Sequence, residues 1–274
     1  MGNFLEDCYP LIINSVSEIN EVVAIGKSGG SKLPENNESD IDIYVFCSSI
    51  PEIKSRKETI DRLGNIISST SYSEHGSRFW GTIDFLTVNN TDICFMYFTT
   101  KTMDEEIESV LNGTRLDREA DYFYPTGRCA TFLSMHILYD EIGYISGIKE
   151  KLLPYPHDLS KKLYNHHIHK AKGNYGGEDF ERAVSRRDIL FYHSTLEFAI
   201  DHFLQALFAL NKCYFPSRKR NLQFIDDFKD KPLNCSARLL EVIQLGSDAK
   251  TLSQSYNIWF ALCKELLDIA ERTN

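Results

Sequence analysis

Hydrophobic positions recur along the 274 residues in two rhythms, and the change from one to the other divides the chain. Phe4, Leu5, Leu11, Ile12, Val16 and Ile19 fall at helical spacing, which predicts an amphipathic helix over 3–20 interrupted at Pro10. Residues 22–25 form a short β-branched run, and 41–46 (IDIYVF) alternate into a second strand. Ile53, Ile60, Leu63, Ile66 and Ile67 predict a surface helix over 51–69. Two further strands, 81–88 and 91–99, flank Asn89-Asn90, a turn-favouring pair that predicts a hairpin. A helix over 101–111 follows, with Thr102 as N-cap, Asp104, Glu105 and Glu106 in the first turn, and Asn112-Gly113 at its end.

Beyond Cys129 the rhythm is helical almost throughout. Helices are predicted over 130–140, 158–174, 180–210 (the longest block), 221–228, 236–245 and 249–269. The predicted fold class is therefore α+β: an N-terminal mixed sheet flanked by helices, then a C-terminal α-helical bundle. The charged, aromatic segment 114–127 reads as the junction, giving domains over 1–115 and 116–274.

Composition narrows the partners. A hydrophobic content of 42% and a charged content of 25% are those of a globular chain with a real core. The net charge of −9 argues against a dedicated nucleic-acid surface, leaving tRNA as the one nucleic acid worth weighing. Seven scattered cysteines without a Cys-x-x-Cys pair read as free thiols in a reducing compartment. With no basic leader and no apolar run near the ~20 residues of a membrane span, the expectation is a soluble, cytoplasmic protein with no membrane partner.

The chemistry-bearing stretch is 25–46, IGKSGGSKLPENNESDIDIYVF. Ser28-Gly29-Gly30-Ser31 is a turn of small residues whose backbone N–H groups can cradle an anion. Asp40 and Asp42 lie two apart at the start of a strand and so project side by side. Two carboxylates that close repel each other unless a cation sits between them. A divalent metal facing a phosphate-binding loop is the minimum set for nucleotidyl transfer.

In its order and spacing this stretch resembles the signature of the polymerase-β-like nucleotidyltransferase superfamily: a Gly-Gly or Gly-Ser pair, a spacer, then Asp-x-Asp entering a strand. The layout of the whole chain resembles small bacterial nucleotidyltransferases that modify antibiotics, with an N-terminal nucleotidyltransferase fold and a C-terminal helical domain. The resemblance implies a nucleoside triphosphate donor, ATP first, and two Mg2+ ions held by Asp40, Asp42 and a third carboxylate on a neighbouring strand. Asp92 fits that place best, with Asp84 its competitor. Gly29, Gly30 and Ser31 would bind the β- and γ-phosphates, with charge from Lys27, Arg187 and Lys219. Glu119 is the first candidate general base, beside Asp117, Asp121, Glu74 and Glu197. The implied acceptor is a hydroxyl of a small molecule such as an aminoglycoside or lincosamide. The alternatives are a toxin-like transferase acting on a protein or tRNA, and a non-catalytic nucleotide-binding module.

One further motif falls outside that picture. His166 and His169, in the run YNHHIHK, have a zinc-like spacing. No third ligand stands near them in the sequence, so they are expected to face solvent.

Overall fold

The computed structural model describes residues 4–29, 33, 40–120 and 123–273. The chain forms two compact units, Met1–Ser109 with Arg128–Pro154, and Val110–Gly127 with Tyr155–Asn274. The first unit is built on a six-stranded mixed sheet, the second on helices, so the fold is α+β.

The sheet comprises β1 (Val22–Lys27), β2 (Ile41–Cys47), β3 (Ser69–Tyr72), β4 (Thr82–Val88), β5 (Thr91–Thr99) and β6 (His136–Tyr139), in the order β3-β4-β5-β2-β1-β6. The β2–β5 pair is parallel and every other pair antiparallel. Ile41, Ile43 and Val45 of β2, Ile93, Phe95 and Tyr97 of β5, and Leu86 and Val88 of β4 share one face. Ile12, Ile13 and Val16 of helix α1 (Phe4–Ser17) and Ile60 of α2 (Ile53–Asp61) join them in one core. The opposite face carries Tyr44, Phe46, Met96 and Phe98, since neighbours along a strand alternate. Helices α4 (Pro125–Ser134) and α5 (Tyr144–Leu152) supply its cover: Phe132 and Tyr144 lie 5.0 and 5.4 Å from the Phe46 ring, and Arg128 sits 4.6 Å over Phe98. Gly26 of β1 makes close approach possible here, because a Cβ there would meet Met135 Sδ at 2.1 Å.

Several expected elements come out differently. Helix α1 runs through Pro10, since burying Ile12, Ile13 and Val16 outweighs one missing hydrogen bond. The predicted helix over 51–69 stops at Asp61, short of Gly64 in left-handed conformation (φ +56), and its tail is a 3-10 turn (Gly64–Ile66) that leads into β3 at Ser69. That edge strand, Ser-Thr-Ser-Tyr, has no apolar face to announce it. The predicted helix over 130–140 is half of α4 followed by β6, whose backbone groups satisfy the open edge of β1. The compact units also divide the chain differently from a cut at 115/116: residues 128–154 fold with the sheet.

In the second unit, α6 (His157–Ile168) packs along α8 (Ile189–Leu210), with Ser160 Oγ donating to the Ala209 carbonyl at 2.8 Å. Trp259 of α11 (Leu252–Thr273) is fully buried against Phe203 and donates its indole N–H to the Ala171 carbonyl. The block expected as one helix over 180–210 is two, α7 (Glu178–Arg186) and α8. Asp188 ends the first by capping the second: its carboxylate accepts from the Phe191 N–H at 3.0 Å, and Arg187 turns left-handed (φ +53). Helix α3 (Thr100–Leu111) is capped by Thr99, whose Oγ1 accepts from the Thr102 N–H, one turn ahead of the expected cap.

Candidate functional site

Strands β1 and β2 are antiparallel neighbours, so the turn that leaves β1 lies beside the residues that enter β2. The Ser28 N–H donates to the Asp42 carbonyl at 3.0 Å and ties the two together. Gly29 follows in a left-handed conformation (φ +77) with open space where a Cβ would stand, so the backbone conformation and not crowding calls for glycine. Gly30 and Ser31 lie outside the described residues.

Asp40 is exposed one residue before β2, and Asp42 is half-buried within it. Two residues apart in extended chain, they face the same way. The electrostatics agree: burial, then the charges of Asp42 and Asp40, push the Cys94 thiol up to about 12. Cys94 is the residue of β5 directly beside Asp42 in the parallel register. Lys27, the last residue of β1, is buried; burial lowers its pKa and the charge of Asp42 opposes the shift. Its ammonium donates to the Ser28 carbonyl at 3.3 Å.

Register puts the two candidates for a third carboxylate on opposite faces of the sheet. Asp92 lies two residues before Cys94 and so shares the face of Asp42. It is exposed, and its carboxylate accepts from Thr87 Oγ1 on β4 at 2.8 Å. Asp84 pairs with Phe95, which puts it on the opposite face. There it is buried and ion-paired with Arg56 of α2, whose guanidinium also donates to the Ser73 and Pro51 carbonyls at 2.8 and 3.2 Å. Asp84 is a structural group and drops out of the candidate site. Among the described residues, the carboxylates of Asp40, Asp42 and Asp92 are not gathered within ligand distance of one another.

Glu74 is exposed in the sheet unit, and the other candidates belong to the second unit. Both oxygens of Glu119 accept from Arg115, at 2.5 and 2.6 Å, so its lone pairs are engaged in a fork. Arg187 and Lys219 are exposed, the first between α7 and α8, the second in the loop before α9 (Asn221–Asp227), its N–H donating to Ser217 Oγ. Arg182 is held by Asp179 at 2.6 Å, and Glu197 accepts from both Arg118 and Arg218. Asp121 lies outside the described residues.

A second polar cluster was not foreseen. His166 faces Asp117, with Nε2 2.8 Å from Oδ1, and Lys170 Nζ lies 2.9 Å from each. The ammonium only donates and the carboxylate only accepts, so His166 Nε2 donates to Asp117 when it carries the proton and accepts from Lys170 when it is bare. His167 Nε2 lies 3.0 Å from the Leu116 carbonyl, which only accepts, so that nitrogen bears the proton. His167 Nδ1 is therefore bare and accepts from His202 Nδ1 at 2.7 Å. Burial and the facing His202 lower His167 to about 3, and burial and the charge of Lys170 lower His202 to about 4. Burial works against ionised Asp117, but hydrogen bonds from Lys170 and His166 outweigh it and bring the carboxyl down to about 2. The third partner of the histidine pair comes from 49 residues away in sequence, which no local spacing could disclose.

The two buried histidines give the metal-free chain an acid limb. The unfolded imidazoles titrate near 6.5, so between pH 7 and 4 the unfolded state takes up more protons than the folded one. Stability present in full above about pH 7 is lost as pH falls through that window. Denaturant unfolding is expected to show a loss of about 3 kcal/mol between pH 7 and 5. A flat profile there would mean that the pair takes up protons in the folded chain as readily as in the unfolded one.

Comparison with known proteins adds the following. Residues 124–220 match a family model described as a domain of unknown function, DUF4037. No curated protein matches the chain. A crystal structure of a nucleotidyltransferase-like protein from Exiguobacterium sibiricum is similar at 12% identity and a TM-score of 0.48, over 98% of this chain and 75% of that one. Among the described residues no helix is long and apolar enough to cross a membrane.

Proposed function

We propose that the chain is a nucleotidyltransferase that moves a nucleoside monophosphate, AMP from ATP in the first instance, onto a hydroxyl of a small molecule. One observation carries the reading. The Ser28 N–H on the Asp42 carbonyl seats a left-handed glycine turn directly against a strand end bearing Asp40 and Asp42 on one face. Backbone N–H groups of such a turn hold the β- and γ-phosphates, and the buried Lys27 beside it adds positive charge.

Asp40, exposed, and Asp42, half-buried, offer hard oxygen donors, a set that suits Mg2+ with several of its waters retained. Bound there, the ion neutralises charge that builds on the phosphate oxygens. The chain's own part is positional: the turn fixes the triphosphate tail, which presents the α-phosphorus to the acceptor oxygen. As the new P–O bond forms, the bond to pyrophosphate breaks and the acceptor hydroxyl loses its proton. The net charge of −9 favours a cationic acceptor, so aminoglycosides are the first to try and lincosamides the next.

Calorimetric titration of ATP, GTP, CTP and UTP in the presence of Mg2+ tests the reading. One nucleotide is expected to bind, and its affinity to fall at least about tenfold in Asp42→Asn, the scale of one lost charged contact. If none of the four binds, the chain is a nucleotidyltransferase-like shell without the activity.

A further inference from the structure

We infer that Asp117, His166 and His167 form a site for a borderline divalent transition-metal ion, Zn2+, in the helical unit. One ligand atom from each of the three lies within 4.8 Å of the others. A cation already stands beside two of these atoms: Lys170 Nζ is 2.9 Å from Asp117 Oδ1, whose lone pair holds it, and 2.9 Å from His166 Nε2, which offers its lone pair to a metal in the tautomer protonated on Nδ1. The ammonium marks the position where positive charge is stabilised. Lys170 is partly exposed and its stem is flexible, so an incoming ion can displace it into solvent.

The donor set selects the metal. Two imidazoles and one carboxylate with a fourth position open to water form the set that Zn2+ takes, whereas Mg2+ prefers oxygen alone. His167 also has the outer partner that such ligands require, since its second nitrogen rests against His202. To ligate through Nε2, His167 gives up the Leu116 carbonyl and carries its proton on Nδ1, facing a His202 protonated on Nε2. Both rings stay neutral and the proton count is unchanged. The site joins α6 to the segment after α3, two stretches with no covalent neighbourhood.

The test uses tag-free chain stripped with chelator and carrying Asp42→Asn, which breaks the Asp40–Asp42 pair of the sheet so that the nucleotide reading stands or falls separately. Zn2+ is titrated by calorimetry at pH 7.5, with Co2+ absorption as the second readout. One equivalent is expected to bind. Both His166→Ala and Asp117→Asn, at partly exposed positions, should weaken it at least about tenfold. Lys170→Met, which removes the competing cation, should tighten it. No binding, or binding indifferent to His166→Ala, overturns the site.

Discussion

Asp42→Asn is expected to slow nucleotidyl transfer by about three orders of magnitude while changing fold stability by no more than about 1 kcal/mol. The asparagine keeps the shape of the side chain and its place on β2 beside the Ser28 turn, and loses only the charge. Several kcal/mol of transition-state stabilisation depend on that charge, and each 1.4 kcal/mol is about tenfold in rate. Asp40→Asn, at an exposed position, should behave alike. Pyrophosphate release with the nucleotide chosen by calorimetry measures both, and a loss under about tenfold would remove these residues from the reaction.

The largest effect on folding is expected at Arg56. Both members of the Arg56–Asp84 pair have side chains only 2% exposed. Arg56→Met leaves a buried carboxylate without its counter-charge and two carbonyls, of Ser73 and Pro51, without their donor. Breaking one side of such a pair costs about 3–5 kcal/mol, whereas replacing both sides by apolar groups is often near neutral. Urea unfolding of Arg56→Met should therefore show a loss of about 3–5 kcal/mol, most of it recovered in Arg56→Met/Asp84→Leu. A single-variant loss below about 1 kcal/mol would show that the pair does not hold α2 to the sheet.

Much of the sheet could be read from the chain because strand signals are local. β2 and β5, and the turn between β4 and β5, follow directly from alternating or continuous apolar runs. The return of residues 128–154 to the sheet unit has an instructive cause. Tyr44-Val45-Phe46 and Cys94-Phe95-Met96-Tyr97-Phe98 are apolar at every position, which means burial on both faces. The predicted N-terminal helices cover only one, so the second cover had to come from further along the chain, and α4 and α5 supply it. What could not be read depends on register and tertiary approach. Cys94 beside Asp42, Asp84 turned away from it, and Asp117 beside His166 are all facts of pairing between distant segments. Asp188 was legible in kind, since aspartate is a favoured N-cap, but the strong apolar period on both sides concealed the break.

The late arrival of β6 has a consequence for synthesis on the ribosome. The chain leaves the sheet unit at Ser109 and returns to it only at Arg128. Until α4, β6 and α5 emerge, the nascent chain displays the aromatic face of Tyr44, Phe46 and Phe98 and the bare hydrogen-bonding edge of β1. A sticky face and an open edge together are the features that draw a growing chain into misassembly or into the hands of chaperones. Translation pausing after residue 154 should therefore release a soluble fragment, and pausing at residue 115 an aggregating one.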